Sequence, residues 1–277
     1  MRSSAKLTLL LICLFPLLAG TAHGEGRAGF VIIQPGQPGT TRDAQPVMDS
    51  LAAYLKEKTG TVTAASGHYF NDLHKAMAFL KNSPPRWGIV SLGFYLENAS
   101  RLSLTPIAST RPGGMAKETW NLVTRKEGPD KWKLLKGTVR GTMLFEKNSA
   151  SCILFGLKPA GLPFELAGTS QPLRALRATL RGHEAGVVLD NLQYQALQSL
   201  PMAEGLKTVL TMELPPDPVV WFGTPDEASK KLEATLVGMG KDTAAADLLK
   251  VLQTDGFTPP DPALANIQKK VDENCGP

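Results

Sequence analysis

Residues 137–157, GTVRGTMLFEKNSASCILFGL, decide the reading of this chain. The half from Gly137 to Phe145 alternates β-favouring residues with others, as a strand does, whereas Cys152 to Leu157 is a compact apolar run suited to a buried helix. A strand of this kind delivers four small polar residues, Asn148-Ser149-Ala150-Ser151, to a helix start. The first N–H groups of a helix lack partners and sit at the positive end of its dipole, so hydroxyls placed there suit an oxyanion. An ordinary Ser N-cap, with Ser149 closing the helix end, is the competing reading, because Ser and Asn lead the N-cap ranking whatever the function.

Outward from this stretch, strand and helix signals alternate. Towards the N-terminus, Gly29 to Ile33 reads as a buried strand and Pro35 to Gly39 as a loop. A helix follows from about Asp43 to Lys58, with Val47, Met48, Leu51, Ala52 and Leu55 at helical spacing and Gly60 just past its end. Thr61 to Ala65 is a second expected strand, Asn71 an expected cap for a helix carrying Leu73, Met77 and Leu80, and Trp87 to Leu92 a third strand. This is a βαβαβ start with parallel strands covered on both faces. A Gly/Pro break at Arg111-Pro112-Gly113-Gly114 precedes a second set. It runs from Trp120 to Thr124, through the opening stretch, a strand at Pro163 to Leu166, a helix from Gln171 to Leu180, and a strand from Gly186 to Leu189. A second break, Leu214-Pro215-Pro216-Asp217-Pro218, leads to a strand from Val219 to Phe222 and helices opening at Pro225, Asp242 and Pro262. Two breaks bracketing a central unit predict two α/β lobes: an outer, discontinuous one (25–111 and 213–277) and a central one (112–212), with crossovers near Arg111 to Met115 and Met212 to Pro218 and a cleft between them.

The first 24 residues read as a cleavable export signal: Arg2 and Lys6, an apolar core from Leu9 to Leu18, and small residues at Ala22-His23-Gly24. That core falls short of the roughly 20 residues of a membrane span. A periplasmic, soluble protein is expected. Of 30 basic and 25 acidic residues, Arg2 and Lys6 leave with the signal, and 28 basic residues against 25 acidic ones give a mature charge near +3. This mild, scattered excess lacks the basic stripe that nucleic acid demands. It is compatible with a small anionic ligand.

Catalytic and metal signatures are absent from the reading. His68 and His74 are six apart and do not share a helical face, no Cys/His cluster has zinc spacing, and no Gly-x-Ser-x-Gly elbow occurs. Gly36 to Thr41 has the glycines of a phosphate loop but lacks its Lys and contains Pro38, so it reads as a loop lining a cleft. No catalysis, metal or cofactor is expected. Tyr69 and Tyr95 fall at the same sheet edge as that loop, where each is either core packing or a ligand contact. Asp190, ending a strand, is either the cap of the next helix or an acceptor for a protonated or amine-bearing ligand. Cys152 and Cys275 could pair in an oxidising compartment. Their assignment to different lobes, where a bond would restrain closure, predicts two free thiols.

Several fragments together resemble the phosphate/phosphonate-type substrate-binding proteins of ABC transporters. They are PVMDSLAAYLKEKTG (46–60), Tyr69 before a helix, WGIVSLGFYLENA (87–99), EKNSASCILFGL (146–157), LRATLRGHEAGVVLD (176–190) and LQTDGFTPPDP (252–262). The resemblance implies an α/β, two-lobed type 2 periplasmic-binding fold with two hinge crossovers, which closes on a small ligand and delivers it as a monomer to an ABC permease. A membrane sensor is the alternative partner. It carries ligand contacts onto Tyr69, Tyr95, Ser149, Ser151 and Asp190, with Ala150 where the family often has Thr. Ser170 stands where phosphonate binders place a His, and Glu213 where the family has a Ser near the second crossover. These two departures make the expected cleft less positive, so a monoanion or zwitterion is favoured over inorganic phosphate.

Overall fold

A computed structural model describes residues 29–60 and 66–275 of the chain. The expected signal segment and the strand expected at Thr61 to Ala65 lie outside the described residues. The first lobe opens with β1 (Phe30–Ile33), α1 (Thr41–Thr59), β2 (Gly67–Phe70), α2 (Leu73–Asn82), β3 (Trp87–Val90), α3 (Leu92–Leu102) and β4 (Leu104–Thr110). The second comprises β5 (Glu118–Arg125), β6 (Thr138–Gly141), α4 (Lys147–Phe155), β7 (Glu165–Gly168), α5 (Pro172–Leu180), β8 (Gly186–Leu189), α6 (Asn191–Gln198) and β9 (Leu206–Leu214). The chain then returns with β10 (Pro218–Phe222), α7 (Glu227–Met239), α8 (Ala246–Val251), β11 (Phe257–Thr258) and α9 (Ala263–Cys275).

One sheet has the order β11-β4-β10-β3-β1-β2 and the other β7-β6-β8-β5-β9. β1 pairs in parallel with β2 and β3, and β6 in parallel with β7 and β8; β10, from the returning chain, is antiparallel to β3 and β4. Helices cover both faces of the first sheet, so β1 and β3 are buried along their whole lengths and read as unbroken apolar runs. Between β4 and β5, and again between β9 and β10, the chain passes from one sheet to the other.

Local chemistry sets the element ends. A reciprocal capping box between Thr40 and Asp43 starts α1 two residues ahead of the expected position, and Gly60, at φ 62°, stops it. The cap of α2 is Asp72, which accepts from Lys75 N at 2.9 Å, and not Asn71. Asn71 instead donates from Nδ2 to Gln37 O and Gly39 O and so ties down the glycine loop. The strand expected to continue to Phe145 ends at Gly141, after which Met143–Glu146 form a 3₁₀ turn. Adjacent Met143 and Leu144 both pack into one core cluster, whereas a pleated strand would send them to opposite faces. The turn moves the helix start to Lys147 and leaves Ser149 inside the first turn, so Ser149 is not the N-cap.

One hydrophobic cluster runs through both lobes, from Val31 and Phe94 on one side to Leu122, Val139 and Leu154 on the other. α9 is part of it. Leu264 is buried, and Ile267 and Val271 pack against the cluster. Gln268 Nε2 donates to Leu96 O of α3 at 3.1 Å, while α9 lies along α4 of the second lobe. Cys275 of α9 and Cys152 of α4 are joined in a disulfide with a Cα–Cα distance of 6.1 Å, which overturns the expected free thiols. The expectation failed because it placed the tail with the outer lobe, whereas α9 crosses back and belongs to the interface.

Candidate functional site

Four residues that immediately follow parallel strands converge between the lobes: Gln34 after β1, Ser91 after β3, Thr142 after β6 and Asp190 after β8. Open α/β sheets place ligands at the carboxyl ends of their strands, and here both sheets do so around one cavity of about 120 Å³. Both crossovers contribute to its wall, the first through Pro112 and the second through Asp217. A second cavity, of about 230 Å³, lies beside it under α1 and is lined by Val47, Met48, Tyr69 and Ile89. The two share Gln34, Gln37, Thr110 and Leu252 in their walls.

Carboxylates dominate the interlobe cavity. Glu118, Glu146, Asp190 and Asp217 all line it, and none of its lining residues is Lys, Arg or His. Each is held by neutral donors. Glu118 Oε1 accepts from Asn191 N at 2.8 Å and Thr119 N at 2.9 Å, and Asp190 Oδ1 accepts from Gln193 N at 2.8 Å. Asp217 Oδ1 accepts from Leu92 N at 2.8 Å, and Glu146 Oε1 from the Ser91 hydroxyl. Removal from water pushes all four carboxyls up. Glu146 reaches about 8, its burial reinforced by Asp217 and Glu97. Glu118 reaches about 7 by burial together with Asp190 and Asp217, Asp217 about 6 by burial and Asp190, and Asp190 rises by burial.

Of the expected contacts, Asp190 lines this cavity and also caps α6. Tyr69 lines the neighbouring chamber, donating from its hydroxyl to Pro38 O at 3.2 Å. Tyr95 is buried in the shared core. Ser149 and Ser151 are buried with their hydroxyls turned inward: Ser149 Oγ donates to Glu146 O at 3.0 Å and Ser151 Oγ to Leu157 O at 2.7 Å. Ala150, between them, is wholly buried. The N–H of Ser149, the group expected to hold an anion, donates to Glu97 Oε1 of α3 at 3.0 Å. Ser170 is exposed, in a separate surface pocket with Arg140 and Arg174. Glu213 is exposed on β9, opposite Thr119, so it is not the acid that shapes the cleft. Among the described residues no group of His, Cys, Asp and Glu is arranged to hold a metal ion.

Glu118, Glu146 and Asp217, which also line the cavity, are not among the contacts expected from the sequence. Asp217 sits in the second break, Glu118 a few residues past the first, and Glu146 at the strand-to-helix junction. An acid at each junction that faces a cleft was the available signal.

No protein-family model matches the chain, and no curated protein matches its sequence. Solved structures do match. XAC2383 from Xanthomonas citri, bound to ATP, superposes with a TM-score of 0.69 at 15% identity, over 90% of this chain and 98% of that one. A binding-protein component of an ABC phosphonate transporter from Pseudomonas aeruginosa gives 0.60 at 15% identity, over 90% of this chain and 88% of that one. PhnD1 from Prochlorococcus marinus, in complex with methylphosphonate, gives 0.59 at 10% identity, over 89% and 97%. With two sheets, two crossovers and a cavity at the strand ends, the chain has the two-lobed periplasmic-binding fold.

Proposed function

We propose that the protein is a non-catalytic solute-binding protein that holds a small molecule between its lobes and presents the bound form to an ABC permease after export to the periplasm. The supporting observation is a cavity walled by both sheets and both crossovers, at the carboxyl ends of strands in each lobe. A solute seated there touches strand ends of both sheets and both crossovers, parts whose relative position changes when the lobes move. Its binding energy is therefore coupled to closure, which a permease can read. Neighbours of this fold include a binding-protein component of an ABC phosphonate transporter, which supports the transport setting.

The oxyanion expected from the Ser-rich helix does not carry into this reading. The Ser149 N–H is engaged by the protein's own Glu97, and the Leu92 N–H at the start of α3 by Asp217.

The reading is tested by thermal shift and solution scattering on the mature protein across cationic, neutral and anionic solutes. One class should raise the melting temperature and contract the particle. Leu192→Trp, at an exposed position on the cavity wall, should abolish both effects while leaving the unliganded fold unchanged. Binding that survives Leu192→Trp places the solute elsewhere and overturns the assignment.

A further inference from the structure

The solute-binding reading leaves open which solute the cleft takes, and the inference that follows rests on that reading. Three helix N-termini face the region between the lobes, and each already holds carboxylate from the protein itself. α4 holds Glu97 through Ser149 N, α3 holds Asp217 through Leu92 N, and α6 holds Asp190 and Glu118 through Gln193 N and Asn191 N. One N–H at the start of each of α3 and α4, and two at the start of α6, are thus taken by the protein's own acids, and the charge they attracted is negative. Among the described residues no Lys, Arg or His lines the cavity to offset it. Arg111 and Lys117, at the first crossover, turn elsewhere: Arg111 Nη2 donates to Gly114 O and Lys117 Nζ pairs with Asp261 at 2.9 Å. Among the described residues none of the ion pairs includes Glu118, Glu146, Asp190 or Asp217. Glu146 is only 2% exposed. Buried carboxylates without a counter-charge are costly, and either a proton or a bound cation relieves the cost.

A second observation is independent of the acids. The cavity they line continues into the chamber walled by Val47, Met48, Tyr69 and Ile89, whose surface is mainly apolar. A ligand that answers only the carboxylates, such as a bare metal ion, leaves that chamber unfilled, and the described residues hold no metal-binding arrangement. We propose that the cleft binds an organic amine with one positive charge and a short aliphatic or aromatic group. Its ammonium sits among Glu118, Asp190 and Asp217, and its apolar part sits against Met48 and Tyr69.

The pH response follows from the groups that face one another there. Glu118 feels Asp190 and Asp217, Asp217 feels Asp190, and Glu146 feels Asp217 and Glu97; no basic group lines the cavity. With Glu118 raised to about 7 and Asp217 to about 6, these two carboxyls share in proton binding near neutrality, and an ammonium beside them favours their ionised forms. Binding therefore releases protons, and affinity rises with pH between about 6 and 8.

The mature protein is titrated calorimetrically with isoamylamine and 2-phenylethylamine, and with isoamyl alcohol, isovalerate, methylphosphonate and inorganic phosphate as neutral and anionic counterparts. Two buffers of different ionisation enthalpy report the protons. The expected result is one amine per chain, net proton release, and about tenfold tighter binding at pH 8 than at pH 6. Glu118→Gln should weaken the amine by about tenfold or more while the unliganded protein melts no lower, a pair of effects that a structural role would not produce. Asp190→Asn, which keeps an oxygen to cap α6, should weaken it in the same direction. Binding of an alcohol or an anion in the amine's place, or amine affinity indifferent to pH and to both substitutions, overturns the inference and leaves the solute-binding reading standing. Silence across all classes overturns both.

Discussion

Helices α4 and α6 occupy equivalent positions in the second lobe, each beginning just beyond a strand of the same parallel trio, yet they meet the cleft in opposite ways. α4 begins with Ser149, Ala150 and Ser151 all buried, and its first turn packs against α3 of the other lobe. α6 begins with Asp190 and Leu192 on the wall of the cavity. The small residues of α4 are packed: they let two helix starts approach closely, and the two Ser hydroxyls donate to nearby backbone carbonyls. The approach is close enough that a Cβ on Gly93 would come within 2.5 Å of Glu146 Oε2. One helix start packs against the other lobe and the other lines the cavity. Serines at a helix start are compatible with either role, and what lies opposite them decides.

The largest effect expected from this contrast concerns the seal. The disulfide fastens α9 to α4 and closes a loop of 123 residues, so Cys152→Ala with Cys275→Ala should lower stability by about 4 kcal/mol. Denaturant unfolding under non-reducing conditions measures it. A loss below about 1 kcal/mol would mean that α9 is held by its apolar face alone and that the contrast with α6 needs no covalent element.

Second in size is Glu146, which lines the cavity at the start of α4. Burial raises its carboxyl from 4.5 to about 8, so at intermediate pH the unfolded chain ionises there while the folded chain keeps its proton. The stability attached to it is complete below about pH 4.5, declines as pH rises, and is gone above about pH 8. Glu118 and Asp217, raised to about 7 and about 6, act in the same direction over narrower windows. The unliganded protein should melt progressively lower from pH 5 to pH 8. Glu146→Gln, whose amide oxygen still accepts from Ser91, should remove part of that slope and gain about 2–3 kcal/mol at pH 8 relative to pH 5. A slope identical to that of the parent protein would place the buried charge elsewhere.

The lobes were legible because their signals are local. Gly60 beyond an amphipathic run and the Pro/Gly breaks on either side of the central set mark helix ends and chain crossings whatever surrounds them. The site was less legible. Whether Glu146 is solvated or buried, and whether Ser149 N meets a solute or Glu97, depends on a helix 52 residues away in sequence, which no spacing rule reaches. The disulfide was misjudged for the same reason: α9 reads as a terminal amphipathic helix, and its sequence does not say which lobe it covers. Asp190 is legible as the cap of α6 because the N-cap is a local rule; that it also lines the cavity depends on the fold.

The smallest expected effect bears most directly on the contrast. Ser149 and Ser151 each give up one neutral hydrogen bond to a backbone carbonyl when replaced by Ala, and the acceptors involved, Glu146 O and Leu157 O, lie within or beside α4. The double substitution should therefore cost about 1–2 kcal/mol in stability. Because neither hydroxyl reaches the cavity, affinity for whichever solute the cleft takes should stay within about twofold of the parent value. Calorimetry on the double variant decides between the two roles for a helix start. Unchanged affinity keeps α4 as the seal and α6 as the wall. A fall of about tenfold would mean that the lobes part far enough for α4 to exchange Glu97 for a ligand, and that the sealed side is the closed, unliganded state of a second binding surface.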